Sequence, residues 1–261
     1  PELRRQVQSW RNSGYEGVSE TSQTLLNWWF KTDHPIAHSD GSTSNFKYYF
    51  AQQESLETIV YLHEKVKIAY KHDLLRFDTN GVISASMMDE TWRRYVIKMA
   101  TGAGKTKVMS LVLAWAYFHK MYEADSDLAK NFLLIAPNII VLDRLRNDFD
   151  GLKIFSEDPV IPENGIGGKN WKTDFQLTLH IQDNIGSISN SGNIFLTNIH
   201  RVYEKRDKDP TAEDEDTKDF FLGSSPTGAT TDSQVDLGDI VRSIDEIIVI
   251  NDEAHHIHDP K

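Results

Sequence analysis

The sequence predicts an α/β fold in three layers, with a mainly parallel sheet and helices on both of its faces. Short apolar runs at 95–99, 132–136, 194–197 and 246–251 are typical of strands that are covered on both faces. Residues 108–118 are apolar on nearly every side, which indicates a buried helix between two of these strands. Since no apolar run reaches about 18 residues, no membrane-spanning helix is expected.

Composition limits the chemistry that the chain can perform. The absence of cysteine excludes disulfides, thiolate metal sites and cysteine nucleophiles, and no signal peptide is recognised, so a cytoplasmic protein is expected. The net charge of −11 is concentrated in residues 201–261, which hold 16 acidic and 7 basic side chains. Because the acidity is local, the overall charge does not exclude a surface that faces nucleic acid.

Residues 1–44 are predicted to form a helical lead-in, with one helix over 21–30. Trp28 and Trp29 in that helix favour packing against other elements over base stacking, because no basic residues alternate with them. The next segment, residues 45–58, has aromatic residues followed by Gln52 and Gln53 at a helix start. An amide there can pair with N6 and N7 of adenine, and the sequence leaves open which glutamine does so.

Residues 99–106 form a predicted phosphate-binding loop between a strand and a helix. Met99 stands where the general pattern has glycine, but Gly104-Lys105-Thr106 opens the helix as the pattern requires. The loop places backbone N–H groups and a helix N-terminus against an anion. Lys105 is expected to reach the phosphates and Thr106 to bind Mg²⁺. The loop residues expected to contact the nucleotide are Thr101, Gly102, Ala103, Gly104, Lys105 and Thr106.

Beyond the loop, Asn138 is predicted to cap the helix that follows the strand at 132–136. Residues 151–190 are predicted to be irregular, and the polar stretch at about 204–240 is interpreted as a mobile acidic insertion at the surface. The final apolar strand delivers Asp252 and Glu253 at its carboxyl end, where parallel sheets bind ligands. Asp252 is expected to hold Mg²⁺, and Glu253 to polarise the water that attacks the γ-phosphate.

These residues resemble motifs I and II of the DEAD/DEAH-box helicases of superfamily 2. The similarity is greater to the R (motor) subunits of type III restriction enzymes and related restriction and defence helicases, in which Met at the first loop position is usual. It covers roughly residues 45–261. The stretches that carry it are 49–58, 97–106 and 251–256.

The resemblance implies a RecA-like P-loop NTPase domain and assigns further residues. Gln52 matches the glutamine that reads adenine in this family, although the adjacent Gln53 leaves the register open by one position. Residues 134–138 look like motif Ia, and 195–198 resemble a later motif at a strand end. The resemblance also implies that His255 couples the nucleotide state to a second motor domain. A zinc site formed by His255, His256 and His258 is disfavoured, because no fourth ligand is in view. The residues that it places near the phosphates of one strand are Pro137, Asn138, Thr197 and Asn198.

The function implied is the ATP-binding half of a DNA-dependent ATPase that uses ATP and Mg²⁺ to move along or unwind duplex DNA. A restriction or phage-defence system is expected, with a methyltransferase or nuclease as partner subunit or domain. The alternatives are an RNA helicase and a nucleotide-gated clamp that does not hydrolyse ATP productively. Because no second RecA-like domain follows His255 in this sequence, the chain is expected to be a fragment of a longer protein.

Overall fold

The computed structural model describes residues 2–77, 93, 95–182, 186–199 and 244–252. The chain divides into two compact units. The first comprises Pro1–Ala124 and Phe155–Phe175, and the second comprises Asp125–Ile154 and Gln176–Lys261. None of the helices in the described residues is long and apolar enough to cross a membrane.

The first unit is built mainly from four helices: α1 (Glu2–Asn12), α2 (Glu20–Lys31), α3 (Phe50–Val60) and α4 (Lys105–Tyr122). Two short strands, β1 (His34–Ala37) and β2 (Thr43–Phe46), form an antiparallel hairpin between α2 and α3. A π-helical turn at Tyr61–Lys65 extends α3, and a 3₁₀ segment follows at Lys71–Phe77. Ser19 caps α2 by accepting a hydrogen bond from the Ser22 N–H (3.1 Å).

The core of this unit surrounds α4. Its side chains from 108 to 119 are buried with one exception, which confirms the predicted apolar helix. Trp28 and Trp29 act as packing residues, as predicted. Their indole N–H groups donate to the backbone oxygens of Pro159 (2.8 Å) and Val160 (2.7 Å), so α2 holds the 155–175 segment of the chain.

A buried carboxylate joins α2 and the π-helical turn to α4. Glu64 accepts hydrogen bonds from the backbone N–H of Ser19 (2.8 Å) and from the hydroxyl of Ser22. Its Oε1 also lies 3.5 Å from Nε2 of His119 on α4. Burial alone would raise the pKa of Glu64, but the hydrogen bonds from His119, Ser19 and Ser22 outweigh it and lower the pKa to about 2.

In the second unit, the described residues form a parallel sheet of four strands in the order β4-β5-β3-β6. The strands are β3 (Asn131–Ala136), β4 (Thr178–Ile181), β5 (Asn193–Asn198) and β6 (Ile248–Asn251). Helix α5 (Ile139–Phe149) follows β3 and packs against β3 and β5. A short helical turn at Asp150–Leu152 also belongs to this unit. The short turns α6 (Ile154–Glu157), Ile166–Gly168 and α7 (Trp171–Asp174) lie mainly in the 155–175 segment of the first unit.

The observed elements confirm the α/β class with a parallel sheet, and they correct three details of the prediction. Residues 95–99 do not form a strand: Val96 is 77% exposed, and no other strand of the described residues pairs with this run. Strand β4 lies in a stretch predicted to be irregular, and the β1–β2 hairpin was not predicted. The expected insertion at about 204–240 lies outside the described residues.

Candidate nucleotide-binding site

The phosphate-binding loop has the backbone geometry that anion binding requires. Gly102 (φ 79°) and Gly104 (φ 81°) both adopt the left-handed conformation, which glycine reaches without a steric penalty. The loop is closed by a hydrogen bond from the Ala103 N–H to the Ala100 oxygen (3.2 Å). Helix α4 starts at Lys105, directly after Gly104. Lys105 and Thr106 are half-buried in its first turn. The loop therefore ends at a helix N-terminus, where backbone N–H groups remain available to an anion.

Gln52 is the residue that joins α3 to this loop. Its side chain accepts a hydrogen bond from the Tyr49 N–H (2.8 Å) and donates one to the Ala103 oxygen (3.2 Å). A Cβ at Gly104 would lie only 2.1 Å from Nε2 of Gln52, so the loop and the amide are in close contact. Each atom of the amide keeps one further hydrogen-bonding position. The Gln52 side chain can therefore contact an adenine edge while it holds the loop.

Gln53 has a different role. Its amide donates to Oε1 of Glu57 (2.8 Å), a buried carboxylate that also accepts hydrogen bonds from Arg11 (2.8 Å) and the Tyr15 hydroxyl (2.7 Å). This group fastens α3 to α1 and the turn after it. The two glutamines that the sequence could not separate are thus distinguished by position, because only Gln52 is seen to contact the loop.

Asp252 lies in the second unit, one residue after β6. Its N–H donates to the Ile135 oxygen (3.0 Å), which prolongs the pairing of β6 with β3. The carboxylate is almost fully buried, and its Oδ2 accepts a hydrogen bond from Nη2 of Arg144 on α5 (3.0 Å). The other oxygen, Oδ1, is buried and has no hydrogen-bond partner among the described residues.

A buried carboxylate oxygen without a partner is unfavourable, and a cation or its bound water would satisfy it. The donor set fits Mg²⁺, which is commonly held by one or two carboxylates together with substrate phosphates and water. The described residues contain no group of three or more His, Cys, Asp or Glu side chains that could hold a metal on their own. A cation at Asp252 would therefore take its other ligands from groups such as a bound phosphate, a hydroxyl or water.

The residues expected near nucleic acid lie at the same edge of the sheet. β3 and β5 pair in register, with Ala136 opposite Asn198, so Pro137 and Asn198 stand close to each other. Asn138 is exposed and caps α5, as predicted, by accepting a hydrogen bond from the Val141 N–H (3.0 Å). The carboxyl ends of the two strands thus come together beside Asp252, which follows β6 on the other side of β3.

Thr197 is fully buried, and its hydroxyl lies within donating distance of the Asn198 oxygen (3.3 Å) and of Oε1 of Gln182 (3.5 Å). The same amide oxygen accepts the Asn198 N–H (3.0 Å). The Thr197 side chain therefore holds the end of β5, and a contact of this residue with a phosphate stays a prediction.

Two polar residues of this region are not indicated by the sequence as parts of the site. Arg144 is exposed on α5, and its guanidinium reaches Asp252. Its position in the second turn of α5, the helix that follows β3, is the one signal that could have indicated this contact. Gln182 gave no signal at all, because its stretch was predicted to be irregular. Glu253, His255, His256 and His258 lie outside the described residues, so the roles expected of them stay predictions.

Comparison with known proteins bears on this site. A family model described as "Type III restriction enzyme, res subunit" matches residues 45–261. Neither the curated proteins nor the solved structures gave a match. The match spans both the phosphate-binding loop and Asp252, and domains of this family are RecA-like P-loop domains with helicase-like ATPase activity. The chain therefore belongs to the family of the type III restriction enzyme res subunits.

Proposed function

We propose that the chain is the ATP-binding half of a DNA-dependent ATPase that moves along or unwinds duplex DNA in a restriction or phage-defence system. The observation that carries the proposal is the contact of Gln52 with the loop at Ala103 and Gly104. A base-pairing amide is thereby joined to a phosphate-binding backbone. This arrangement suits a ligand that carries both a purine base and a phosphate chain.

The chemistry divides among four side chains. Lys105 would hold the β- and γ-phosphates. The Thr106 hydroxyl and Asp252 would hold Mg²⁺, which would supply positive charge beside the phosphates. Glu253 accepts a proton from the attacking water and orients it. In this proposal Lys105 and Asp252 converge on one triphosphate, although they belong to different units of the chain.

Nucleic acid is proposed to lie along the carboxyl edge of the sheet. Asn138 is exposed at the start of α5, and Asn198 is half-buried at the end of β5. Amide side chains and the free N–H groups of a helix N-terminus bind phosphate oxygens without reading sequence. We propose duplex DNA as the polynucleotide and a methyltransferase or nuclease as the partner subunit or domain.

The experiment is an ATPase assay of the full-length protein with double-stranded DNA, single-stranded DNA and RNA in parallel. Lys105→Ala should lower the stimulated rate about 100-fold, because one charged phosphate ligand is lost at the reacting group. Lys120→Ala, in the last turn of α4, is the matched control and should leave the rate within about twofold, since surface changes have small effects. An unchanged rate in Lys105→Ala would overturn the assignment of the loop. Stimulation by RNA alone would overturn the assignment of DNA.

A further inference from the structure

Residues 155–175, here called the linking segment, belong to the first unit although the chain on both sides belongs to the second. The segment follows α5, the helix that Asn138 caps. It leads into β4, and the residue after that strand, Gln182, accepts the Asn198 N–H. Both ends of the linking segment are therefore continuous with elements that hold the proposed nucleic-acid residues.

The linking segment contacts the first turn of the phosphate-loop helix. Asp158, whose side chain is 9% exposed, forms an ion pair with Lys107, the third residue of α4. Lys105 and Thr106, the proposed phosphate and metal ligands, precede Lys107 in the same turn. The backbone at Pro159 and Val160 is held in place by the two tryptophans of α2, so Asp158 stands on a fixed stretch of chain.

The far end of the segment is fastened to the last turns of the same helix. Trp171 packs edge-on against Phe118 (4.8 Å between ring centroids) and Tyr122 (5.2 Å). The Tyr117 hydroxyl donates to the Asp174 oxygen (2.8 Å). These aromatic contacts bury a large apolar area and hold the segment on α4. The ion pair between Asp158 and Lys107 is partly exposed on the lysine side, so it adds little to folding stability.

We propose that Asp158 is a positioning residue. Acting through Lys107, it joins the first turn of α4 to α5 and β4, so that nucleic acid bound at Asn138 and Asn198 accelerates ATP hydrolysis. The proposal rests on the proposed function, and it adds the route by which the polynucleotide acts on the ATP site. A contact that contributes little to stability but joins the linking segment to the phosphate-loop helix suits a role in coupling, because coupling requires a link that differs between bound states.

The test is Asp158→Asn in the full-length protein, which removes the charge and keeps the size of the side chain. Basal ATP turnover and affinity for a fluorescent ATP analogue should stay within about twofold of the wild type, while stimulation by duplex DNA falls about fivefold or more. Glu163→Gln is the matched control, since it removes another ion pair of the linking segment, to Lys172, that does not involve α4. It should leave the stimulation unchanged.

An exchange of charges separates positioning from a structural role. Lys107→Asp combined with Asp158→Lys should regain at least half of the lost stimulation, whereas Lys107→Asp alone should not. Equal stimulation in Asp158→Asn and wild type would overturn the coupling role and leave the proposed function intact. A proportional loss of basal and stimulated turnover, with a lower melting temperature, would show that Asp158 only supports the fold. A wild-type protein that no polynucleotide stimulates would overturn the proposed function itself.

Discussion

The two halves of the proposed site differ in how complete they are. At the loop, both atoms of the buried Gln52 amide are hydrogen-bonded, one to α3 and one to Ala103. At the end of β6, one oxygen of the buried Asp252 carboxylate has a partner and the other has none among the described residues. In the proposed site, the half at Gln52 is therefore formed in advance, whereas the half at Asp252 would be completed by what it binds.

The largest effect is expected from the incomplete half. Asp252→Asn should lower ATP turnover about 100-fold or more, because a metal ligand loses its charge. The melting temperature should change by only a few degrees, since Asn keeps the shape and the acceptor for Arg144. Turnover and thermal unfolding, measured side by side, check this. A large fall in melting temperature would instead mean that Asp252 is needed for folding.

A smaller effect is expected where the loop meets Gln52. In Gly104→Ala, the added Cβ would lie 2.1 Å from Nε2 of Gln52 and displace the amide. The affinity for ATP should therefore fall about tenfold more than the affinity for GTP. Gly102→Ala is the matched control: it has nearly the same φ, but nothing lies within 4 Å of its Cβ. Gly102→Ala should lower the affinities for ATP and GTP equally. Titrations with fluorescent nucleotides measure the ratio of the two affinities, and the same ratio in both variants would contradict this prediction.

Gln52→Ala tests the same contact from the other side. ATP affinity should fall about tenfold, since an amide that pairs with the base is lost. Gln53→Ala, its neighbour on α3, should leave affinity within about twofold, because its amide bonds Glu57 and not the loop. Calorimetric titration with ATP decides between them. A larger loss in Gln53→Ala would reassign the adenine contact.

The smallest effect on the site is expected from Glu64, which stabilises the unit that carries the loop. Its pKa of about 2 lies below the ordinary value of 4.5, so its contribution to stability is complete above about pH 5. The contribution is lost as the pH falls from that ordinary value towards 2. Glu64→Gln should destabilise the protein at pH 7 by roughly 3 kcal/mol, and the gap should close at low pH. Urea unfolding from pH 7 to pH 3 checks this, and a constant gap would contradict it.

Sequence patterns predicted the elements whose burial is continuous. The runs at 132–136 and 194–197 became β3 and β5, because strands covered on both faces are apolar at every position. Strand β4 escaped prediction, since its buried position is occupied by a polar residue, His180, which forms a hydrogen bond with Oδ1 of Asn193 (2.9 Å) and stacks on Phe195. Residues 95–99 show the opposite error. They are mostly apolar and were predicted to form a strand, but none of the described strands pairs with them.

The residues of the candidate site also fall into those that a sequence pattern can predict and those that it cannot. Gly102, Gly104, Lys105 and Asp252 can be named from the sequence as candidate site residues, because the chemistry of the two motifs fixes both residue type and spacing, and their roles stay predictions. The choice between Gln52 and Gln53 was not predictable, since it depends on which face of α3 meets the loop. The contacts of Arg144 with Asp252 and of Asp158 with Lys107 join residues that are distant in sequence, and a pattern of local spacing holds no information about them.

Whether Lys105 and Asp252 act on one triphosphate can be seen in a crystal structure of the protein with a non-hydrolysable ATP analogue. Mn²⁺ in place of Mg²⁺ would be located by its anomalous scattering. We expect the terminal phosphates at Lys105, with the Mn²⁺ bound to the Thr106 hydroxyl and, directly or through one water, to Asp252. A nucleotide held at Lys105 with its metal far from Asp252 would show that the two residues do not act together.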